Sequence, residues 1–258
     1  MTAAIMPWTR SAFRVTGRRA NVVLLAFADE GALGSGPDFN LSRDAVPRDV
    51  PVAALDVRLH RYADNPAWID SWRTGAFRHI AAGQLADLTV LDAADCCYSV
   101  AVELDDPPDL THLQLAWAVA SGLAQAGSCA VLDMYAASWW SGTEVAALEP
   151  DRPFTVQREI SVIAETELVA GFGHPVHTRG MLKFGCPDLI AGVAADRIQD
   201  TSRIINHLAG MLADGHSLTP GQRLRFDHRR SLLVTDYTPD GLVPEVNLAN
   251  EGLLLVDL

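Results

Sequence analysis

Cysteine is scarce, with four in 258 residues, at positions 96, 97, 129 and 186. The spacing is irregular and contains no CxxC, which excludes a disulfide framework or a thiolate cluster as the organising device. Adjacent Cys96 and Cys97 would point to opposite faces of a strand, and buried free thiols are the expectation. Positive charge is also in deficit: 20 Lys and Arg stand against 32 Asp and Glu, a formal net charge of -12. Such a field repels phosphate backbones and anionic membranes, so neither nucleic acid nor a membrane is an expected partner. Arg223, Arg225, Arg229 and Arg230 form a local basic run, but the alternation in "RLRF" reads as the wet face of a strand.

Long apolar runs are missing too. The most apolar segment, Leu113 to Met134, is interrupted by Gln114, Gln125, Gly127, Ser128 and Asp133, so it reads as a buried helix and strand rather than a membrane span. The opening "MTAAIMPWTRSAF" has no charged start followed by an apolar core and cleavage site, and a cytoplasmic protein is expected. There is no GxSxG elbow, Walker motif or HExxH. Gly34-Ser35-Gly36 runs straight into Pro37, so it opens no helix and gives no dinucleotide fingerprint.

What the chain does have is the balance of a packed globular protein, 49% hydrophobic and 20% charged. "RANVVLLAFA" from Arg19 suits a strand covered on both faces. "VAALDVRLHRY" alternates as a half-exposed strand. In "NPAWIDSWRTGAFRHIAAGQLAD" Asn65 can cap a helix and Pro66 fits its first position, while Gly75 weakens the middle. "YSVAVELDDPPDLTHLQLAWAVASGLAQAGSCAVLDMY" reads as strand, helix, strand, with Thr111 and Gln114 as a capping box and Gly127 as the stop. "TVQREISVIAE", "VHTRGMLKFG" and "DLIAGVA" are further strand candidates. Asp196 to Ala213 is an amphipathic helix stopped by Gly215, and "GQRLRFD", "SLLVTDY" and "EGLLLVDL" are closing strands, the first two joined by an "HRR" turn. The expectation is one α+β (mixed α/β) domain over residues 1–258, its mixed, largely antiparallel sheet flanked by about three helices and holding one β-α-β unit. The Gly- and Pro-rich 31–51 segment is its weakest joint.

Two stretches carry candidate chemistry. "GFGHPVHTRGMLKFGCPDL", 171–189, offers His174, His177 and Cys186, with Glu165, Glu167 and Asp188 nearby, as an alternative zinc set for a metal-assisted hydrolase. His174 and His177 are three apart around Pro175, which on an extended chain puts them on opposite faces. The plainer reading makes the stretch a glycine-punctuated strand connection with His177 and Arg179 exposed on one face. In "LDMYAASWWSG", Asp133 ends an apolar strand and Trp139 and Trp140 follow, an arrangement suited to a recognition surface or to the lining of a small-molecule pocket.

The positions Thr178, Gly180, Met181, Phe184, Gly185, Pro187 and Asp188 resemble a T-x-G-[LM]-x-x-F-G segment of little-characterised bacterial domain families, loosely like suppressor-of-fused or toxin-immunity proteins. The preceding strand-helix-strand is similar in layout, which extends the resemblance over roughly 98–227. It implies a non-enzymatic α+β domain that binds a protein partner and carries over no catalytic residue; no cofactor is expected. The expected binding residues are then Asp133, Trp139, Trp140, His177 and Arg179.

Overall fold

Arg19–Ala28 is apolar at both parities, and it becomes β1, the central strand of a five-stranded sheet. The structure, a computed structural model, describes residues 4–29, 45–226, 231–237 and 250–257. After β1 come β2 (Leu55–Arg61), three helices α1 (Pro66–Arg73), α2 (Gly75–Gln84) and α3 (Thr89–Ala93), and β3 (Cys96–Asp105). Helix α4 (Thr111–Ala126), β4 (Ser128–Asp133) and β5 (Ser138–Ser141) complete this half. The sheet order is β2-β3-β1-β4-β5, with every neighbour antiparallel. Val22, Leu24 and Ala26 of β1 face α4 and its Leu113, Trp117 and Ala120. Leu25 and Phe27, on the other parity, pack with Ile69 of α1, Ala81 of α2, Leu91 of α3 and Trp139. Each face is thus covered by helix, which is what a strand without a polar side requires.

The second half contains the short helices α5 (Gly142–Ala146) and α6 (Val156–Glu159), then β6 (Ser161–Ala164), β7 (His174–Arg179) and β8 (Asp188–Val193). Helix α7 (Ile198–Ala213) precedes β9 (Arg223–Arg225), β10 (Ser231–Tyr237) and β11 (Gly252–Asp257). These strands form a six-stranded sheet in the order β6-β7-β8-β11-β10-β9, antiparallel except for the parallel pair β8 and β11. The apolar stripe of α7, Ile205, Leu208 and Leu212, covers Val176, Leu189 and Val193. Those side chains share one continuous core with Leu24, Val100 and Leu115 of the first half, so the two sheets bury a common interior.

Helix α7 ends where sequence and tertiary contact agree. Gly215, at φ +103°, donates to Leu212 O and His216 donates to Met211 O, each at 3.0 Å, which is a Schellman closure. Arg10 also donates to the last carbonyls of the helix, Nε to Ala213 O at 2.9 Å and Nη2 to Leu212 O at 3.3 Å. A guanidinium at the negative end of a helix is favourable, and it ties the N-terminal segment to the second sheet.

The α+β class and the largely antiparallel pairing hold, with the strands divided over two sheets. Strands β3 and β4 flank the α4 crossover but are not neighbours: β1 lies between them, antiparallel to both. The long helix expected from Asn65 turns at Gly75, φ +57°, into α1 and α2. Asn65 caps α1 as expected, accepting from Trp68 N. The Thr111/Gln114 capping box does not form. Asp109 accepts from the Thr111 N and Oγ1 groups instead, while Gln114 Oε1 accepts from Trp8 N at 2.9 Å. A capping box is present at Ser141 and Glu144. The strand expected from Thr155 begins only at Ser161, because residues 156–159 coil to bury Val156 and turn Glu159 inward. Most of the 31–51 joint, and the "HRR" turn with Arg229 and Arg230, lie outside the described residues.

Candidate functional site

The "RGMLKFG" segment joins β7 to β8, neighbours in the second sheet, and its Gly185 packs against the start of β1 in the first. Strand β7 ends at Arg179, Gly180 turns at φ +106°, Met181–Phe184 form one 3-10 turn, and Gly185 at φ +65° closes it. Glycine is required at 180 for space as well as conformation, since a Cβ there would sit 2.9 Å from Glu159 O and 3.4 Å from Ala136. The turn buries three of its four side chains, Met181, Lys183 and Phe184. Leu182 lies at the surface side, and Lys183 goes into the interior with no exposed surface.

Two carboxylates meet Lys183 there. Its Nζ donates to Asp133 Oδ2, from the end of β4, and to Glu159 Oε2 at 3.0 Å, from the end of α6. Trp117 Nε1 donates to the same Glu159 oxygen at 3.0 Å, and Ala136 N donates to Asp133 Oδ1 at 3.1 Å. All three charged side chains are buried, a rare condition that is tolerable only when each charge is paired. Burial holds the Asp133 carboxyl above the usual carboxylate range. On Lys183 burial works against the ammonium, but Asp133 and Glu159 outweigh it and leave its pKa raised. His112 of α4 seals the far side: its Nε2 lies 2.8 Å from Lys183 O and so donates, and burial pushes its pKa down to about 4, leaving a neutral ring.

A third buried carboxyl, Asp188, stands at the far end of the turn. Asp188 Oδ1 accepts from Thr178 Oγ1 at 2.8 Å and from Met181 N at 3.3 Å, while Thr178 Oγ1 accepts from Leu189 N. Burial pushes Asp188 up to about 6, against the pull of those donors. Beside it opens a cleft of about 270 Å³, lined by Trp72, Phe77, Met134, Tyr135, Arg179, Gly180, Leu182, Asp188 and Asn250. One wall comes from the first sheet, through Met134 and Tyr135 after β4 and the α1/α2 aromatics. The other comes from the β7–β8 turn and the second sheet. Trp72 and Phe77 lie 5.3 Å apart, centroid to centroid, in a tilted pair, and the Asn250 amide donates to Cys186 O at 2.7 Å.

Of the expected binding residues, Arg179 lines this cleft, and the others do not. Asp133 is buried in the ion-paired cluster. Trp139 is core, its Nε1 donating to Phe77 O at 3.0 Å. Trp140 packs edge-on against Trp117 at 5.5 Å. The tryptophan pair therefore lies on the two faces of the first sheet, Trp139 buried and Trp140 half-buried, as strand alternation dictates. His177 is buried, not exposed. Its Nε2 lies 3.2 Å from Glu165 Oε1, and burial lowers its pKa.

The zinc set does not converge. His174 and His177 sit on opposite faces of β7, opposite Val193 and Ile190. The Cys186 thiol donates to Leu212 O at 3.4 Å, and burial pushes it up to about 11, so it stays a thiol. Among the described residues, no group of three or more His, Cys, Asp or Glu side chains is placed to hold a metal ion. No helix among them is long and apolar enough to cross a membrane.

Sequence reading missed Lys183, Glu159, Trp72, Phe77, Tyr135 and Asn250. A signal existed for Lys183: it stands between Leu182 and Phe184 in a short apolar run bounded by glycines, where a solvated lysine is out of place. Compared with family models, curated proteins and solved structures, the chain matches none.

Proposed function

We propose that this chain is a non-enzymatic binding module that takes one large side chain of a protein partner into the cleft between its sheets. The cleft carries the reading. At about 270 Å³ it lies at the lower edge of small-molecule sites and has room for a single large side chain. Its walls combine aromatic and aliphatic groups, Trp72, Phe77, Tyr135 and Leu182, with three polar ones, Arg179, Asp188 and Asn250. That is the composition of a pocket for an interface anchor. None of the groups best suited to chemistry on a substrate lines the cleft: Lys183, His112 and Cys186 are all buried away from it. A net charge of -12 favours rapid encounter with a basic partner, and the resemblance of the 178–188 segment to immunity-type domains points the same way.

The test places the photo-crosslinking residue p-benzoylphenylalanine at position 135, with the same residue at the exposed Val15 as control. Irradiation in extract of the source cells should give one discrete protein adduct from position 135 and none from position 15. Phe77→Ala should then weaken binding of that partner tenfold or more, about 1.4 kcal/mol, with the melting temperature checked alongside. Equal adducts from both positions, or an affinity indifferent to Phe77→Ala, overturns the reading. A small molecule retained in native mass spectrometry, and lost in Phe77→Ala, transfers the cleft to a small-molecule-binding module.

A further inference from the structure

The buried cluster has the parts of a self-modifying site, a use distinct from binding in the cleft. An amine, Lys183 Nζ, hydrogen-bonds one oxygen of a carboxyl, Asp133 Oδ2, while that carboxyl's other oxygen accepts a backbone N–H from Ala136 at 3.1 Å. A second carboxylate, Glu159, stands 3.0 Å from the same Nζ and is itself held by Trp117 Nε1. Lys183, Asp133 and Glu159 are all shut away from solvent, so the water that would hydrolyse or outcompete an amide is excluded. We propose that Lys183 and Asp133 condense to an intramolecular amide, with Glu159 as the proton carrier.

The step balances within the cluster. One proton passes from the Lys183 ammonium to Asp133, giving a neutral amine and a neutral carboxylic acid. Nζ attacks Asp133 Cγ. Charge building on Oδ1 is met by the Ala136 N–H, the role an oxyanion donor plays in acyl transfer. Glu159 takes the second proton from nitrogen and delivers it to Oδ2, the Cγ–Oδ2 bond breaks, and one water leaves. The product is a neutral amide whose N–H faces Glu159 Oε2. Net charge is unchanged, and no oxidant, reductant or cofactor enters.

Two features favour the product. A buried ammonium with two buried carboxylates is replaced by an amide and a single carboxylate that keeps two donors, which removes the most heavily desolvated charges. Proximity supplies much of what an uncatalysed condensation lacks, since amine and acid are held together by the fold. Asp133 directly precedes Met134 and Tyr135, and Lys183 directly follows Leu182, so the bond would also staple the two walls of the cleft.

The test is the intact mass of the full purified chain under denaturing conditions, followed by fragment spectra of a protease digest. The expected result is a mass lower than the sequence by one water, with a branched peptide joining Asp133 to Lys183. Lys183→Arg and Glu159→Gln should each restore the full mass. A folded wild-type chain of full sequence mass overturns the proposal, and so does a water loss that persists in Lys183→Arg, the mark of a cyclised aspartate elsewhere. The wild-type spectrum and branched peptide decide the matter even where a variant fails to fold.

Discussion

Asp188→Asn should make the protein's stability respond to pH in a way that isolates one carboxyl. Burial raises Asp188 from 3.8 to about 6 in the folded chain. An acid in this position keeps its proton in the native state while the unfolded chain releases it, so its contribution to stability falls as pH rises from about 4 to about 6. The gap is worth about 3 kcal/mol. Asparagine keeps the Oδ1 that accepts from Thr178 and Met181, and it cannot ionise. Changes in the contact with Asn250 add a constant at every pH. The wild-type profile alone would conceal the effect, because His112, depressed to about 4, has the opposite sign: it loses stability as pH falls through the window where the unfolded histidine gains a proton. The quantity to measure is therefore the unfolding free energy of Asp188→Asn minus that of wild type, from urea titrations at fixed ionic strength. It should climb by about 2.4 kcal/mol between pH 4 and pH 7. A difference that stays level across that range refutes the account of Asp188 as a desolvated carboxyl at the cleft.

The histidine can be tested in the same assay. His112→Gln keeps a donor for Lys183 O and should flatten the acid limb below about pH 6.5 by about 3 kcal/mol, whereas an unchanged limb would mean that His112 does not stay neutral in the fold. Glycine substitutions separate backbone strain from crowding. Gly221→Ala, at φ +87° with open space around it, should cost about 1 kcal/mol in urea unfolding. Gly215→Ala, whose Cβ would lie 2.5 Å from the Phe13 backbone, should cost clearly more, and the reverse order would contradict the packing of the N-terminal segment on the end of α7.

The sequence by itself determined the elements whose signals are local. The apolar run of β1 at both parities, the Asn65 and Pro66 start of α1, Gly127 after α4 and Gly215 after α7 all stand where periodicity and capping put them, because each depends on residues within a few positions. The division of strands into two sheets and the insertion of β1 between β3 and β4 depend on pairings across most of the chain, which no local pattern encodes. The same holds at the site. "RGMLKFG" announced a turn through its glycines, yet not that Lys183 points inward. That direction follows from carboxylates 50 and 24 positions away, Asp133 and Glu159. Trp139 and Trp140 looked like surface aromatics next to a loop, and tertiary structure put Trp139 in the core and packed the half-buried Trp140 against Trp117 on the opposite face of β5. The cleft draws Trp72 and Phe77, Tyr135, Arg179 and Asn250 from four separate segments. Burial and long-range pairing decide which polar groups are desolvated, and only the folded chain sets those.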